Sequence, residues 1–118
     1  MAEHEKLNYV EFPAADLAAT KAFFTAAFGW RFTDYGPDYV AFDQQGLEGG
    51  FYRADLASTA QQGGALLVFY STNLSDTEAK VVSACGTINK PTFEFPGGKR
   101  FHFLEPSGNE FAVWSDKN

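Results

Sequence analysis

Glu11, Arg100, His102 and Glu110 are the charged or titratable side chains best placed to do chemistry in this chain. Strand alternation puts them on one face with Tyr9, Tyr70 and Trp114. A carboxylate among aromatic rings resists ionisation, which suits Glu11 to general-base work near neutral pH or to holding a polar or cationic ligand. Histidine serves as acid, base or metal ligand at physiological pH. The only other histidine is His4, near the start of the chain, so His102 is the serious candidate. Glu11 and His102 are therefore the catalytic candidates. Tyr9, Glu11, Tyr70, Arg100, His102, Glu110 and Trp114 are the ligand-binding candidates, with the rings stacking on a planar or apolar molecule. Structural roles compete with each: an ion pair of Glu11 with Arg100, a half-buried sheet histidine at 102, Glu110 at the rim, and aromatic packing between sheets. For Tyr39 packing is the expectation. Cys85 is expected to be a buried, inert thiol on a helix face.

The elements that must position these residues are written twice. Residues 9–29 (YVEFPAADLAATKAFFTAAFG) and 66–86 (LLVFYSTNLSDTEAKVVSACG) align without a gap at a spacing of 57. Phe12 matches Phe69, Leu17 matches Leu74, Thr20 matches Thr77, and Gly29 matches Gly86. Each copy predicts a strand, a helix capped by Asp16 or Asn73 and stopped by Gly29 or Gly86, and three further strands. The helices are expected over roughly 17–28 and 74–85, with Leu17, Phe24 and Phe28 on one face. Strands are expected at about 7–12, 30–34, 38–43 and 49–54, then at 65–71, 87–95, 100–104 and 109–114. Pro13 is expected to end the first strand's pairing, since proline has no N–H for a ladder. Residues 55–64 (DLASTAQQGG) look like a linker. Gly49-Gly50 is expected to let a strand bend, and Gly97-Gly98 to form a mobile loop over the cup that the sheets enclose.

The chain of 118 residues fits one domain, about 7–115, with module one at 7–54 and module two at 65–115. A net charge of −6 with no basic cluster argues against nucleic acid and anionic membranes as partners. No apolar run approaches a membrane span, and the start MAEHEKLNY lacks a signal-peptide core. One cysteine offers no disulfide framework. These features predict a cytoplasmic protein. Thirteen Phe, five Tyr and two Trp exceed what a core this size needs, so an aromatic pocket is expected.

The paired β-α-β-β-β units, the stretch Val10–Trp30 and the segment RFHFLEPSGNEFAVW (100–114) resemble the vicinal oxygen chelate superfamily, which includes glyoxalases, bleomycin-resistance proteins and dioxygenases. Residues 105–109 (EPSGN) stand where that family usually has Asp-Pro-x-Gly-Asn. The resemblance implies an α+β fold of two tandem βαβββ modules forming a cup-shaped mixed sheet with helices outside, and a homodimer. It also implies a divalent metal held from positions that fall here on Tyr9, Leu66 and Ala112, with a further position near Gly50 or Phe51. Leu66 and Ala112 have no donor atom, and a phenol is a poor ligand for a hard ion. The expectation is thus no metal and no cofactor, and a small organic ligand bound in an aromatic cup. The alternatives are a lyase- or isomerase-type enzyme using Glu11 and His102 with no metal or with a relocated one that includes Glu110, and a vestigial accessory domain. A dioxygenase is a weaker variant of the enzyme reading.

Overall fold

Strand alternation and capped helices build the same unit twice, and the computed structural model describes residues 2–117 of it. Module one runs β1 (Tyr9–Ala14), α1 (Leu17–Phe28), β2 (Phe32–Asp34), β3 (Tyr39–Gln45) and β4 (Leu47–Arg53). Module two runs β5 (Leu67–Tyr70), α2 (Leu74–Ser83), β6 (Thr87–Phe95), β7 (Gly98–Leu104) and β8 (Glu110–Ser115). Each forms a four-stranded mixed sheet, ordered β1-β4-β3-β2 and β5-β8-β7-β6. In both, the first strand lies parallel to the last, and the other pairs are antiparallel.

The helices start where their caps predict. Asp16 accepts from the Ala19 N–H at 3.0 Å, and Asn73 from the Asp76 N–H at 3.2 Å. Gly29 ends α1 in the left-handed region (φ 72°), and the Trp30 N–H closes back on the Phe24 carbonyl. The second helix ends differently from the sequence expectation. Cys85, not Gly86, takes the left-handed turn, at φ 80°. A Cβ on Gly86 would sit 2.6 Å from Val81 Cγ1 and 2.8 Å from the Phe23 ring. Gly86 is therefore a close-approach glycine, and Cys85 is turned out of the helix and exposed rather than buried.

The buried face of α1 carries Thr20, Phe23, Phe24 and Ala27, a wider stripe than Leu17, Phe24 and Phe28. This helix serves both sheets. Phe24 stacks 4.4 Å from Trp30 and meets Phe51 of module one at 5.5 Å. Phe24 also meets Phe111 of module two at 5.4 Å, Phe23 reaches Phe103 at 5.6 Å, and Phe28 stacks on Phe69 at 4.5 Å. Phe12 of β1 lies 5.0 Å from Phe111 of β8, so one aromatic core joins the modules.

Several local expectations change. Pro13 does not end β1; it pairs opposite Tyr52, and the strand continues to Ala14. β1 is an edge strand, where a missing N–H leaves no ladder gap. Gly49 and Gly50 admit close neighbours. A Cβ on Gly49 would stand 2.3 Å from the Val10 carbonyl oxygen, and one on Gly50 would overlap the Tyr39 phenol. Gly97-Gly98 is no cup loop: Phe95 pairs with Gly98 across a tight hairpin, and Gly98 packs against the Ser115 carbonyl.

Candidate functional site

The faces of the two sheets turned away from the aromatic core carry two polar clusters. On module one, β1 presents Tyr9 and Glu11 and β3 presents Tyr39. The Tyr39 hydroxyl donates to Glu11 Oε2 at 2.8 Å, so the Tyr9 hydroxyl donates to Tyr39 at 2.6 Å. The Tyr39 ring lies across Gly50, where a larger residue would block it. Partial burial, reinforced by the bonds to Tyr9 and Glu11, pushes the Tyr39 phenol far above the ordinary tyrosine range, so it keeps its proton as a donor.

On module two, cross-strand pairing sets side chains in rows. Tyr70, Trp114, Arg100 and Phe93 form one row, and Val68, Ala112, His102 and Lys90 the next. Arg100 donates its Nε–H and an Nη2–H to His102 Nε2 at 3.2 and 2.9 Å. A guanidinium has only donors, so Nε2 carries the lone pair and the imidazole proton is on Nδ1. His102 Nδ1 then donates to Glu110 Oε2 at 2.8 Å, and the Ala60 N–H donates to Glu110 Oε1 at 2.9 Å. Burial opposes the charge on Glu110, but bonds from His102 and Ala60 outweigh it and hold the carboxyl below its ordinary value. His102 and Glu110 are both buried. The Arg100 guanidinium also lies 5.8 Å from the ring centres of Phe93 and Phe95.

The segment 55–64 is no free linker. Its backbone covers the start of β8: the Ser58 N–H donates to Asn109 Oδ1 at 2.8 Å, and the Glu110 N–H donates to the Ser58 carbonyl. A cleft of about 510 Å³ opens here, lined by Thr59, Gln61, Asn89, Lys90, Leu104 and Glu110. A second cleft, about 670 Å³ and mostly apolar, lies between the modules against Val10, Phe12, Trp30, Phe42, Leu67 and Phe111.

A third polar cluster ties the modules together. Glu105, 2 % exposed, accepts from Thr20 Oγ1 at 2.7 Å, from the Ser107 N–H at 2.8 Å and from Asn109 Nδ2 at 2.6 Å. Asn109 Nδ2 donates as well to the Pro13 carbonyl at 2.7 Å. Burial raises the Glu105 carboxyl above its ordinary value despite these bonds.

The donor set does not fit a divalent ion at the positions the resemblance implies. Leu66 and Ala112 carry no donor, the Tyr9 hydroxyl is engaged with Tyr39, and the Tyr39 ring lies over Gly50. No three His, Cys, Asp or Glu side chains come together as a ligand set among the described residues.

The model of the Glyoxalase/Bleomycin resistance protein/Dioxygenase superfamily matches residues 6–113. The chain belongs to that superfamily. Among solved structures it is similar to a glyoxalase-related enzyme from Fulvimarina pelagi, with TM-score 0.79, 16% identity, and 94% of this chain and 88% of that one covered. A glyoxalase/bleomycin resistance protein/dioxygenase family enzyme from Burkholderia phytofirmans PsJN aligns with TM-score 0.75 and 21% identity over 93% and 98% of the two chains. Lactoylglutathione lyase from Agrobacterium tumefaciens aligns with TM-score 0.70 and 17% identity over 94% and 93%. At these identities the likeness is one of fold. No curated protein matches the chain.

Within this glyoxalase-superfamily fold, the residues singled out from sequence fall into separate groups. Arg100, His102 and Glu110 come together in one hydrogen-bonded line. Glu110 is buried at the end of that line, held there by the Ala60 N–H, and does not sit at the rim. Glu11 bonds to Tyr39 in the other module, and no ion pair joins it to Arg100. Tyr70 and Trp114 meet edge to face at 5.0 Å, and the Tyr70 hydroxyl donates to Asp116 at 2.5 Å. Tyr9, Val68 and Tyr70 are exposed, so this face stays open in a single chain. Tyr39, expected as packing, is the hub of its cluster. A tyrosine diagonal to a glycine across a strand pair was its only available sequence signal. The Glu105 cluster was missed altogether, although EPSGN marked the segment.

Proposed function

We propose that this superfamily member binds a small organic ligand on the outward, aromatic-lined face of its second sheet without the usual metal. The observation that carries this reading is the Arg100–His102–Glu110 line, held on an aromatic row beside a cleft of about 510 Å³. A buried polar network on an otherwise open face costs stability unless all its members are satisfied. Among the described residues no buried side-chain nitrogen or oxygen lacks a partner. Such a network presents a fixed, preorganised surface to a ligand. The geometry favours binding over acid–base catalysis by His102, because its Nε2 lone pair is already taken by Arg100. Glu11 remains the candidate base for a lyase or isomerase reading, since its carboxylate is exposed.

The proposal extends to setting: a cytoplasmic homodimer acting on neither nucleic acid nor membranes. A net charge of −6 supports the last point. The exposed Val68, Tyr70 and Tyr9 leave apolar surface for a second copy to cover. No helix among the described residues is long and apolar enough to cross a membrane.

The test combines metal analysis of protein purified without chelator with a small-molecule screen read by tryptophan fluorescence. The expected outcome is saturable quenching by a ligand recovered unchanged, with metal far below one equivalent. Stoichiometric metal overturns the metal-free reading. Turnover that disappears in Glu11→Gln with folding intact replaces the binder by an enzyme.

A further inference from the structure

We infer that Arg100 is the anchor for a planar aromatic carboxylate, so that the ligand of this face is an aromatic acid. The inference rests on the small-molecule reading above and names the ligand's chemical class. A guanidinium carries five N–H donors in a plane. Two of them, on Nε and Nη2, converge on His102 Nε2 and fix the group's side edge. His102 is itself locked by Glu110, and Glu110 by the Ala60 N–H, so the plane of Arg100 is set by a chain of three buried or half-buried contacts. Of the three remaining donors, one Nη1–H and the second Nη2–H form the end edge. No carboxylate among the described residues pairs with Arg100. That end edge matches the two oxygens of a carboxylate, which a guanidinium holds through two parallel hydrogen bonds.

The surroundings choose the rest of the ligand. Arg100 stands in its row between Trp114 and Phe93, with the Phe95 ring also 5.8 Å from the guanidinium. A ring attached to the carboxylate meets aromatic faces on either side, where offset or edge contacts are favourable. Lys90, in the adjacent row opposite His102, adds a second positive charge. Glu110 stays ionised, but its two oxygens are taken up by the His102 Nδ1–H and the Ala60 N–H, so its carboxylate does not occupy the end edge of Arg100. His102 is on this account a positioning residue.

The experiment follows the Arg100 Nε–H and backbone amide signals by NMR while benzoate, benzamide or acetate is added to the full chain. Benzoate should give saturable shifts at Arg100, Phe93 and Trp114. Benzamide, the neutral isostere, and acetate, which lacks the ring, should each bind at least about tenfold more weakly. Arg100→Gln should lose the preference for benzoate over benzamide. Arg100→Lys, which keeps the charge but not the two-donor edge, should also weaken benzoate by about tenfold. Unchanged amide dispersion in both variants checks that the fold persists. Equal binding of benzoate and benzamide, retained in Arg100→Gln, overturns the inference and leaves the small-molecule reading in place. Acetate as tight as benzoate overturns the aromatic part. If none of the three binds, the inference fails, and the small-molecule reading stands or falls on the fluorescence screen.

Discussion

At the residue scale, three carboxylates that look alike in sequence have three different environments. Glu11 is exposed and accepts one phenol. Glu110 is buried but charged, because His102 and Ala60 donate to it. Glu105 is buried and pushed towards protonation, although three donors face it. The Glu105 contacts have a direct consequence. All the groups around its two oxygens are donors, so an amide NH₂ in place of either oxygen sets donor against donor. Glu105→Gln should therefore destabilise the fold by about 1–3 kcal/mol in chemical denaturation, despite its near-identical shape. Glu110 makes a pH prediction. Its folded-state pKa lies below the ordinary 4.5, so its contribution is complete above about that pH and is lost as pH falls through the folded value. Melting temperatures taken above and below pH 4.5 should show a smaller acid loss in Glu110→Gln than in the parent, from a lower starting stability. The sequence marked Glu11 and Glu110 as site candidates through strand alternation. It could not separate their electrostatics, because Tyr39 lies 28 positions from Glu11 and Ala60 lies 50 from Glu110.

At the element scale, helices and strands were legible almost throughout, since caps and alternation are local signals. The errors fall where a neighbouring element decides the local backbone. Gly86 looks like a helix stop, yet Phe23 of α1 and Val81 claim the space around it, so the turn moves to Cys85. Cys85→Gly should stabilise the chain by roughly 1 kcal/mol, since a left-handed conformation costs about that much for a residue with a Cβ. A loss of stability in that variant would show that Cys85 contributes contacts beyond its backbone. The glycine pair in β4 supports a ranking. A Cβ on Gly50 meets the far end of the Tyr39 side chain, which can swing away. A Cβ on Gly49 meets the Val10 carbonyl at 2.3 Å, and the backbone of β1 cannot yield without loss of pairing. Gly49→Ala should thus cost more stability than Gly50→Ala, the first exceeding about 3 kcal/mol and the second lying near 1–3 kcal/mol. Gly50→Ala should in addition bring the Tyr39 phenol back towards its usual titration range, visible in the ring carbon resonances.

At the scale of the whole molecule, the two modules are joined by an aromatic core and by one polar knot. Asn109 holds that knot, receiving the Ser58 N–H and donating to the Pro13 carbonyl and to Glu105. Asn109→Ala leaves these groups unpaired and should cost about 3 kcal/mol or more. Amide exchange should quicken first at Ser58 and Ala60, which would also loosen Glu110 and, through His102, Arg100. Unchanged exchange in segment 58–60 would show that the segment is held by other means. The sequence by itself determined the duplication, the βαβββ order and the two faces of each sheet, because these follow from spacing, capping and period along the chain; the family showed through the resemblance of particular segments. The tertiary structure decided which candidates meet. It separated Glu11 from Arg100, drew His102 between Arg100 and Glu110, folded a linker over β8, and laid Tyr39 across Gly50. Those outcomes depend on the packing of distant segments and on which donor reaches which acceptor, and neither is written in local spacing.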